Sequence, residues 1–455
     1  MTPERCALPA CISLSEAARF WLRLGLVSFG GPAGQIALLQ RELVEQRRWL
    51  SERRFLHALN YCMVLPGPEA TQLATYLGWL MHGVPGGLIA GGLFLAPSVV
   101  VLTALATVYA LWGQLPLMVA VFALLKPAVL AIVIVAAWRV GRRTLQTPLL
   151  AGLAGAAFAS LALLQLPYPL VVLAAALSGG IAGRWRPALL HPPAAGVAPS
   201  ADNTVVPSSE PAGAIHDDLT PPPPHARLSR TRLALTLLIW GLAYWLPLQL
   251  LSLLGGWGTT LGQMGRLFSK VALLSFGGAY AVLPYVAQGA VEQFGWLSAG
   301  QMLDGLALGE TTPGPLIMVV AFVGFMGGWN TGLGGPPGHW PAALAAALVT
   351  VWFTFLPSFG FILAGAPLVE ATRNDLRLSG PLTAITAAVV GVIASLAVLF
   401  AGPVLCPGGV FNPMATLLVA LALIAQLRWG ISVLQLIGLA VTLGLMRFAL
   451  LQLLR

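Results

Sequence analysis

Charge is what this sequence has least of. Only 9% of its 455 residues are Asp, Glu, Lys or Arg, against about 25% in soluble globular proteins. Such a chain cannot cover a water-facing surface, which excludes a soluble fold built around one large core. Lysine is nearly missing: Lys126 and Lys270 are the two in the chain, and arginine supplies the rest of the basic set. The four cysteines, Cys6, Cys11, Cys62 and Cys406, form no C-x-x-C pair, which argues against a metal site or a disulfide framework. There is no C-x-x-C-H, no pair of histidines at helical spacing and no G-x-G-x-x-G after a strand. A flavin, haem or thiol centre therefore has no support, and no cofactor or enzyme chemistry is expected. No basic patch is interleaved with exposed aromatics, so a nucleic-acid partner is not expected either. A cleavable signal peptide is absent by pattern, and the first apolar run, near Phe20, reads as a first membrane segment. No appended soluble sensor domain is visible.

What is there is hydrophobic sequence. Apolar residues make up 58% of the chain, and apolar windows near or above about 18 residues recur along it, the pattern of spanning helices. The fold class expected is an all-α polytopic membrane protein. Its formal net charge of +9, from 24 basic and 15 acidic residues, fits cytoplasmic loops and anionic lipid head groups.

The apolar sequence repeats. Leu26–Gly34 reads L-V-S-F-G-G-P-A-G and Leu273–Ala281 reads L-L-S-F-G-G-A-Y-A. Ser28 and Ser275 are 247 apart (275 − 28), as are Trp49 and Trp296 (296 − 49) and Pro66 and Pro313 (313 − 66). Arg19 and Arg23 fall on Arg266 and Lys270 at the same offset, and Pro97-Ser98 falls on Pro357-Ser358 at 260 (357 − 97). A Gly/Pro-rich insertion at 327–340 accounts for the difference of thirteen. Several matches held at one offset mean two homologous halves.

The first half occupies about 15–186, with segments at 55–81, 87–112, 117–138, 149–164 and 167–183 after the Ser-Phe-Gly-Gly segment. Residues 187–230 form a Pro/Ala-rich stretch, with four prolines at 221–224, and read as a disordered linker. The second half, 231–455, opens with an extra apolar segment at 233–254. Its repeat follows as 266–289, 300–326, 341–368, 381–402, 412–427 and 431–453. In all, about nine to thirteen membrane segments are expected. The broken segments either all cross or all return, so the first half crosses an even number of times. The extra segment then inverts the second half. Arginine placement favours returning hairpins, with 41–54, 139–143 and 184–232 on the inner side.

Two features carry chemistry. Pro66-Gly67-Pro68 and Pro313-Gly314-Pro315, with the Gly30-Gly31 and Gly277-Gly278 pairs beside Ser28 and Ser275, break helices inside apolar sequence. Broken helix at membrane depth is tolerated only where protein or a water-filled cavity surrounds it, and half-helix N-termini offer N–H groups to an anion. The plain alternative is a packing kink, but symmetric pairs in both halves favour a site. The second feature is ionisable residues in apolar surroundings. Arg23 and Lys270, each five residues before a Ser-Phe-Gly-Gly, and Lys126 are candidates to neutralise the anion; snorkelling to the interface is the alternative. Glu69 and Glu310 flank the two Pro-Gly-Pro elbows and are candidates for proton coupling, or else carboxylates complementing a helix dipole. Asp304 and His57 occupy matched positions (304 − 57 = 247) and stand next in line for that role.

S-F-G-G-P-A-G-Q-I, L-P-G-P-E-A-T-Q-L at 65–73, S-F-G-G-A-Y-A-V-L-P and T-P-G-P-L closely resemble the chromate ion transporter family in its long, two-domain form, over about 15–180 and 262–453. The resemblance implies a cytoplasmic-membrane protein that exports chromate on the proton motive force, with no enzyme activity. Its partners would be chromate or a similar oxyanion and the lipid bilayer, with a homodimer left open. Chromate is a tetrahedral dianion close to sulfate in size, so a sulfate or other oxyanion carrier stays open. A membrane-bound chromate reductase and a passive channel are the readings from other classes.

Overall fold

The computed structural model describes residues 12–185, 215, 223–226, 229–255, 258–276, 279–371 and 379–453. Gly277, Gly278 and most of the 187–230 stretch lie outside the described residues. Among the described residues there are sixteen α-helices and no strands.

The first helix, α1 (Leu14–Val27), starts at Ser13, whose hydroxyl accepts the Glu16 N–H. It buries Phe20, Trp21 and Leu24 on one face, and Arg19 and Arg23 are exposed on the other. At about 1.5 Å per residue it is about 21 Å long, short of the roughly 30 Å of a bilayer's hydrocarbon. It ends at the Ser-Phe-Gly-Gly turn, and α2 (Gly31–Gln40) runs on into a π-helical turn, Arg41–Gln46. Then come α3 (Glu52–Val64), the Pro-Gly-Pro elbow and α4 (Glu69–Trp112), which is broken at His82 and Gly83. The half closes with α5 (Pro116–Thr144), α6 (Pro148–Ala162) and α7 (Tyr168–Trp185).

The second half repeats this after α8 (Arg230–Gly255): α9 (Thr260–Leu274), α10 (Ala279–Ala287), a second π-helical turn at Gln288–Gln293, and α11 (Ala299–Thr311). The long α4 is matched by two helices, α12 (Val319–Thr331) and α13 (Trp340–Ala371), separated by the insertion. The last three are α14 (Ser379–Leu405), α15 (Pro413–Arg428) and α16 (Val433–Leu453). The repeat holds down to single hydrogen bonds. Arg47 N–H donates to Glu42 and Phe294 N–H to Gly289; Trp49 N–H donates to Leu43 and Trp296 N–H to Ala290.

Among the described residues, seven helical stretches are long and apolar enough to cross a membrane, in α4, α5, α8, α12, α13, α14 and α16. The protein is a multi-pass membrane protein. The larger number expected from hydropathy includes segments that fold as pairs of short helices (α1 with α2, α9 with α10) or as single short ones (α6, α15).

The halves interleave. Helix α5 packs against α15 and α16, while α14 packs against α6 and α7. The α14–α6 crossing is close because Gly391 has no side chain; a Cβ there would strike the Ala154 carbonyl. Small residues at such crossings let backbones approach without a hydrophobic driving force. One buried cluster runs from Leu95 through Val129 to Phe322 and Ile437, joining residues of both halves.

Contacts also sort the connections into two ends. At one, Ile215 N–H donates to the Arg48 carbonyl (3.1 Å), the His82 imidazole meets the Ile12 carbonyl (2.8 Å), and His225 meets the Trp79 carbonyl (2.9 Å). At the other, the Trp340 indole donates to Thr107 (3.2 Å) and the Tyr109 hydroxyl to Asp304 (2.8 Å).

Candidate functional site

Helix ends at the two Ser-Phe-Gly-Gly turns have nearly the same shape. Ser28 (φ −82°, ψ 75°) and Ser275 (φ −81°, ψ 66°) leave the helical region and free their carbonyls. Each carbonyl is met by the elbow of the other half. Gly67 N–H donates to the Ser275 carbonyl and Gly314 N–H to the Ser28 carbonyl, both at 2.8 Å. Positive φ at Gly67 (+132°) and Gly314 (+106°) turns those amides outward from their own segment, a conformation open to glycine. Prolines on either side have no N–H to compete.

Above each elbow sits a serine of the partner half. A Cβ on Gly67 would run into the Ser358 hydroxyl, and one on Gly314 into that of Ser98. Both serines are buried (Ser358 2% and Ser98 0% exposed), and neither hydroxyl has a hydrogen-bond partner; the same holds for the Thr71 hydroxyl and the Gln72 side-chain oxygen. The Gln72 amide donates to the Pro66 carbonyl (2.8 Å) and that of Gln35 to the Ser28 carbonyl (3.3 Å). Buried polar atoms are normally paired. An unpaired buried hydroxyl beside each elbow therefore leaves unmet hydrogen-bonding capacity there.

A second polar feature is built from residues of both halves. Lys126 Nζ is 3.3 Å from Asp304 Oδ2, which also accepts the Tyr109 hydroxyl proton. They line a cavity of about 620 Å³ together with residues at helix ends and in connections: Gly113 and Gln114, Ser298, Pro407 and Asn412.

Compared with known families, residues 15–180 and 262–445 match the chromate transporter family. The chain belongs to the chromate transporter family. It is 31% identical over 399 residues to a chromate transport protein of Pseudomonas aeruginosa, covering 86% of this chain and 81% of that one. It is 28% identical over 393 residues to a probable chromate transport protein of Synechococcus elongatus (85% and 84% covered). It is 26% identical over 389 residues to a chromate transport protein of Cupriavidus metallidurans (86% and 83%). These relatives are transport proteins, not enzymes. No solved structure matches the chain.

In this chromate transporter family member the matched segments contain both elbows and the Lys126 cavity; α8 and the 187–230 stretch fall between them. Of the residues the sequence points to, Ser28, Pro66, Gly67, Ser275, Pro313 and Gly314 come together in the elbow exchange. Gly30 (φ +93°) and Gly31 (φ +68°) make the turn into α2. The Gly67 and Gly314 amides, which the sequence offers to an anion, are engaged by the opposite half. Arg23 and Lys270 sit on exposed faces of α1 and α9, apart from the buried cluster. Glu69 is the first residue of α4; Glu310, near the end of α11, accepts the Tyr280 hydroxyl. Lys126 belongs to the cavity with Asp304, a pairing that sequence position alone does not reveal. Ser98 and Ser358 were also visible only as a repeat match; the proline before each and the shared offset were the available signal.

Proposed function

We propose that this protein is a secondary transporter that exports chromate, or an oxyanion very like it, across the cytoplasmic membrane, drawing on the proton motive force. The observation that carries the reading is the exchange of elbows: each half's Pro-Gly-Pro closes on the other's serine turn, around buried hydroxyls without partners. Hydroxyls and half-helix N-termini suit a tetrahedral dianion. A contact made twice, once by each half on the other, suits alternating access at a fixed site. Chromate comes from the names of the relatives.

The halves are read as inverted repeats about an axis in the membrane plane. The Ile215–Arg48 bond and the buried cluster that takes in Trp49, Leu80, Ala226 and Ile215 support this, because they put the arginine-rich 41–54 connection at the same end as residues 223–226. That grouping fits returning hairpins, with the arginines inside. The extra crossing of α8 then inverts the second half.

A dianion leaving a negative-inside cell gains about 2.3 kcal/mol per charge per 100 mV, or about 4.6 kcal/mol in all. Proton antiport adds drive only through a group that alternates between protonated and ionised states, and Glu69 and Glu310 are assigned that role. Uptake of radiolabelled chromate into everted vesicles, competed with sulfate, tests the reading. Saturable, gradient-stimulated uptake is expected. Glu69→Gln and Glu310→Gln should keep the voltage response and lose the response to an imposed pH gradient. Absence of chromate uptake, with sulfate carried instead, would reassign the substrate.

A further inference from the structure

The Lys126 cavity lies outside the elbow exchange and has its own architecture. Its floor is an ion pair. Lys126 comes from α5, about a third of the way along, and Asp304 from the second turn of α11. Asp304 is 3% exposed and its Oδ1 has no hydrogen-bond partner, while the Lys126 side chain keeps 32% of its surface accessible. The charged and titratable groups facing Asp304 are Lys126 from α5 and Tyr109 from α4; α12 contributes Phe322, in edge contact with Tyr109. The N-terminus of α11 points the same way. Ser298 caps it and a Cβ on Gly300 would lie 3.5 Å from the lysine ammonium, so the positive end of the helix dipole adds to the lysine's field.

The cavity therefore presents a cation, a helix N-terminus and the side chains of Gln114, Gln301 and Asn412, all of which suit an oxyanion. Against them stands one carboxylate already on the ammonium. The repeat gives this pair no counterpart: the matched positions hold Thr386 (386 − 126 = 260) and His57. The helix ends that line it, at Gly113, Ser298, Pro407 and Asn412, are at the end opposite the Arg48 connection. In the topology proposed above, that is the outer face.

We propose that this cavity is the exit vestibule for the oxyanion and that Asp304 is its release group. Lys126 and the α11 N-terminus receive the anion from the elbows, and the Asp304 carboxylate competes with it for the ammonium, so it leaves rather than lodges. The step makes and breaks no covalent bond; the ion pair opens as the anion arrives and closes as it departs. The assignment rests on the transport reading for its direction, but the binding site itself does not.

The test uses the purified full-length protein in detergent, titrated calorimetrically with sodium chromate and, separately, sodium sulfate, with chloride as counter-ion control. Asp304→Asn keeps the size and the tyrosine contact and removes the competing charge. It should bind either oxyanion about tenfold more tightly than the parent and turn over more slowly in everted vesicles. Lys126→Met should abolish the gain when combined with Asp304→Asn, and the double variant, which leaves no lone buried charge, is the folding control. Asp304→Asn binding no tighter than the parent, or the double variant keeping the gain, would overturn the proposal. If Asp304→Asn gains affinity while the parent carries no chromate, the vestibule stands and the export reading falls. If the parent exports chromate and Asp304→Asn changes neither affinity nor turnover, the reverse holds.

Discussion

Two glycines and two carbonyls hold the centre of this protein, and side chains enter mainly as the atoms that would collide. Gly67→Ala and Gly314→Ala place a Cβ at φ +132° and +106° and against the Ser358 and Ser98 hydroxyls. Backbone strain of this kind costs about 1–3 kcal/mol, and the collision adds to it. Both variants should show lowered thermal stability in detergent and lose transport. Gly92→Ala and Gly155→Ala, with nothing within 4 Å of the new carbon, should be neutral or slightly stabilising, since alanine is the better helix former by up to about 1 kcal/mol. Ser28→Ala removes only the hydroxyl bond to the Gly25 carbonyl and leaves the carbonyl that Gly314 uses; a loss of about 1 kcal/mol is expected. Comparing unfolding midpoints across the five variants checks the set. Equal midpoints for Gly67→Ala and Gly92→Ala would mean the elbow tolerates a side chain.

Helices here are positioned by their breaks. The π-helical turns at 41–46 and 288–293 deliver Trp49 and Trp296 to matched buried positions, and Ser51 and Ser298 then restart the chain as α3 and α11. Side-chain caps at Ser13, Ser51, Thr259 and Ser298 mark the starts of α1, α3, α9 and α11, and starts of that kind are legible in the sequence. The extra helix α8, broken-segment positions and the two-half organisation could all be read from apolar runs, prolines and the 247 offset. Pairing between elements could not. Which α5 meets which α16, or that Lys126 finds Asp304, depends on packing between residues 178 apart (304 − 126), and no local pattern encodes it. The arrangement of ends is open to experiment. In a background with Cys6, Cys11, Cys62 and Cys406 all changed to Ala, Arg48→Cys and Gln114→Cys should react with a membrane-impermeant maleimide from opposite sides. Labelling of both from one side would contradict returning hairpins. Helix α8 is attached chiefly by aromatic contacts, with the Trp240 indole donating to the Leu356 carbonyl (3.1 Å) and lying over Gly360. Gly360→Ala should displace that indole and make α8 more accessible to protease than in the parent.

At the scale of the whole molecule, neither half is complete. One buried cluster holds α5 with residues of α15 and α16, and α14 with residues of α6 and α7. Expressed alone, 1–186 lacks the partners of α5 and should not accumulate in the membrane. Co-expressed with 223–455, it should be recovered as a complex through a tag on either half. The connection itself should be exchangeable over 187–214, whose composition is poor in residues that bury apolar surface, with transport unchanged. Recovery of a stable, monodisperse 1–186 by itself would show that interleaving is not required for folding.

The elbow exchange has an implication for ancestry. Gly67 with Ser275 and Gly314 with Ser28 are the same contact made twice, the form an isologous dimer interface takes. Two identical copies of a single half, lying antiparallel, could form it without any fusion. Because donor and acceptor are main-chain atoms, the join asks for glycine at the two elbows and leaves side chains away from it free to vary. After duplication, either copy was free to diverge at its side chains while the seam stayed intact, which is how one copy could acquire a lysine and the other an aspartate to meet it.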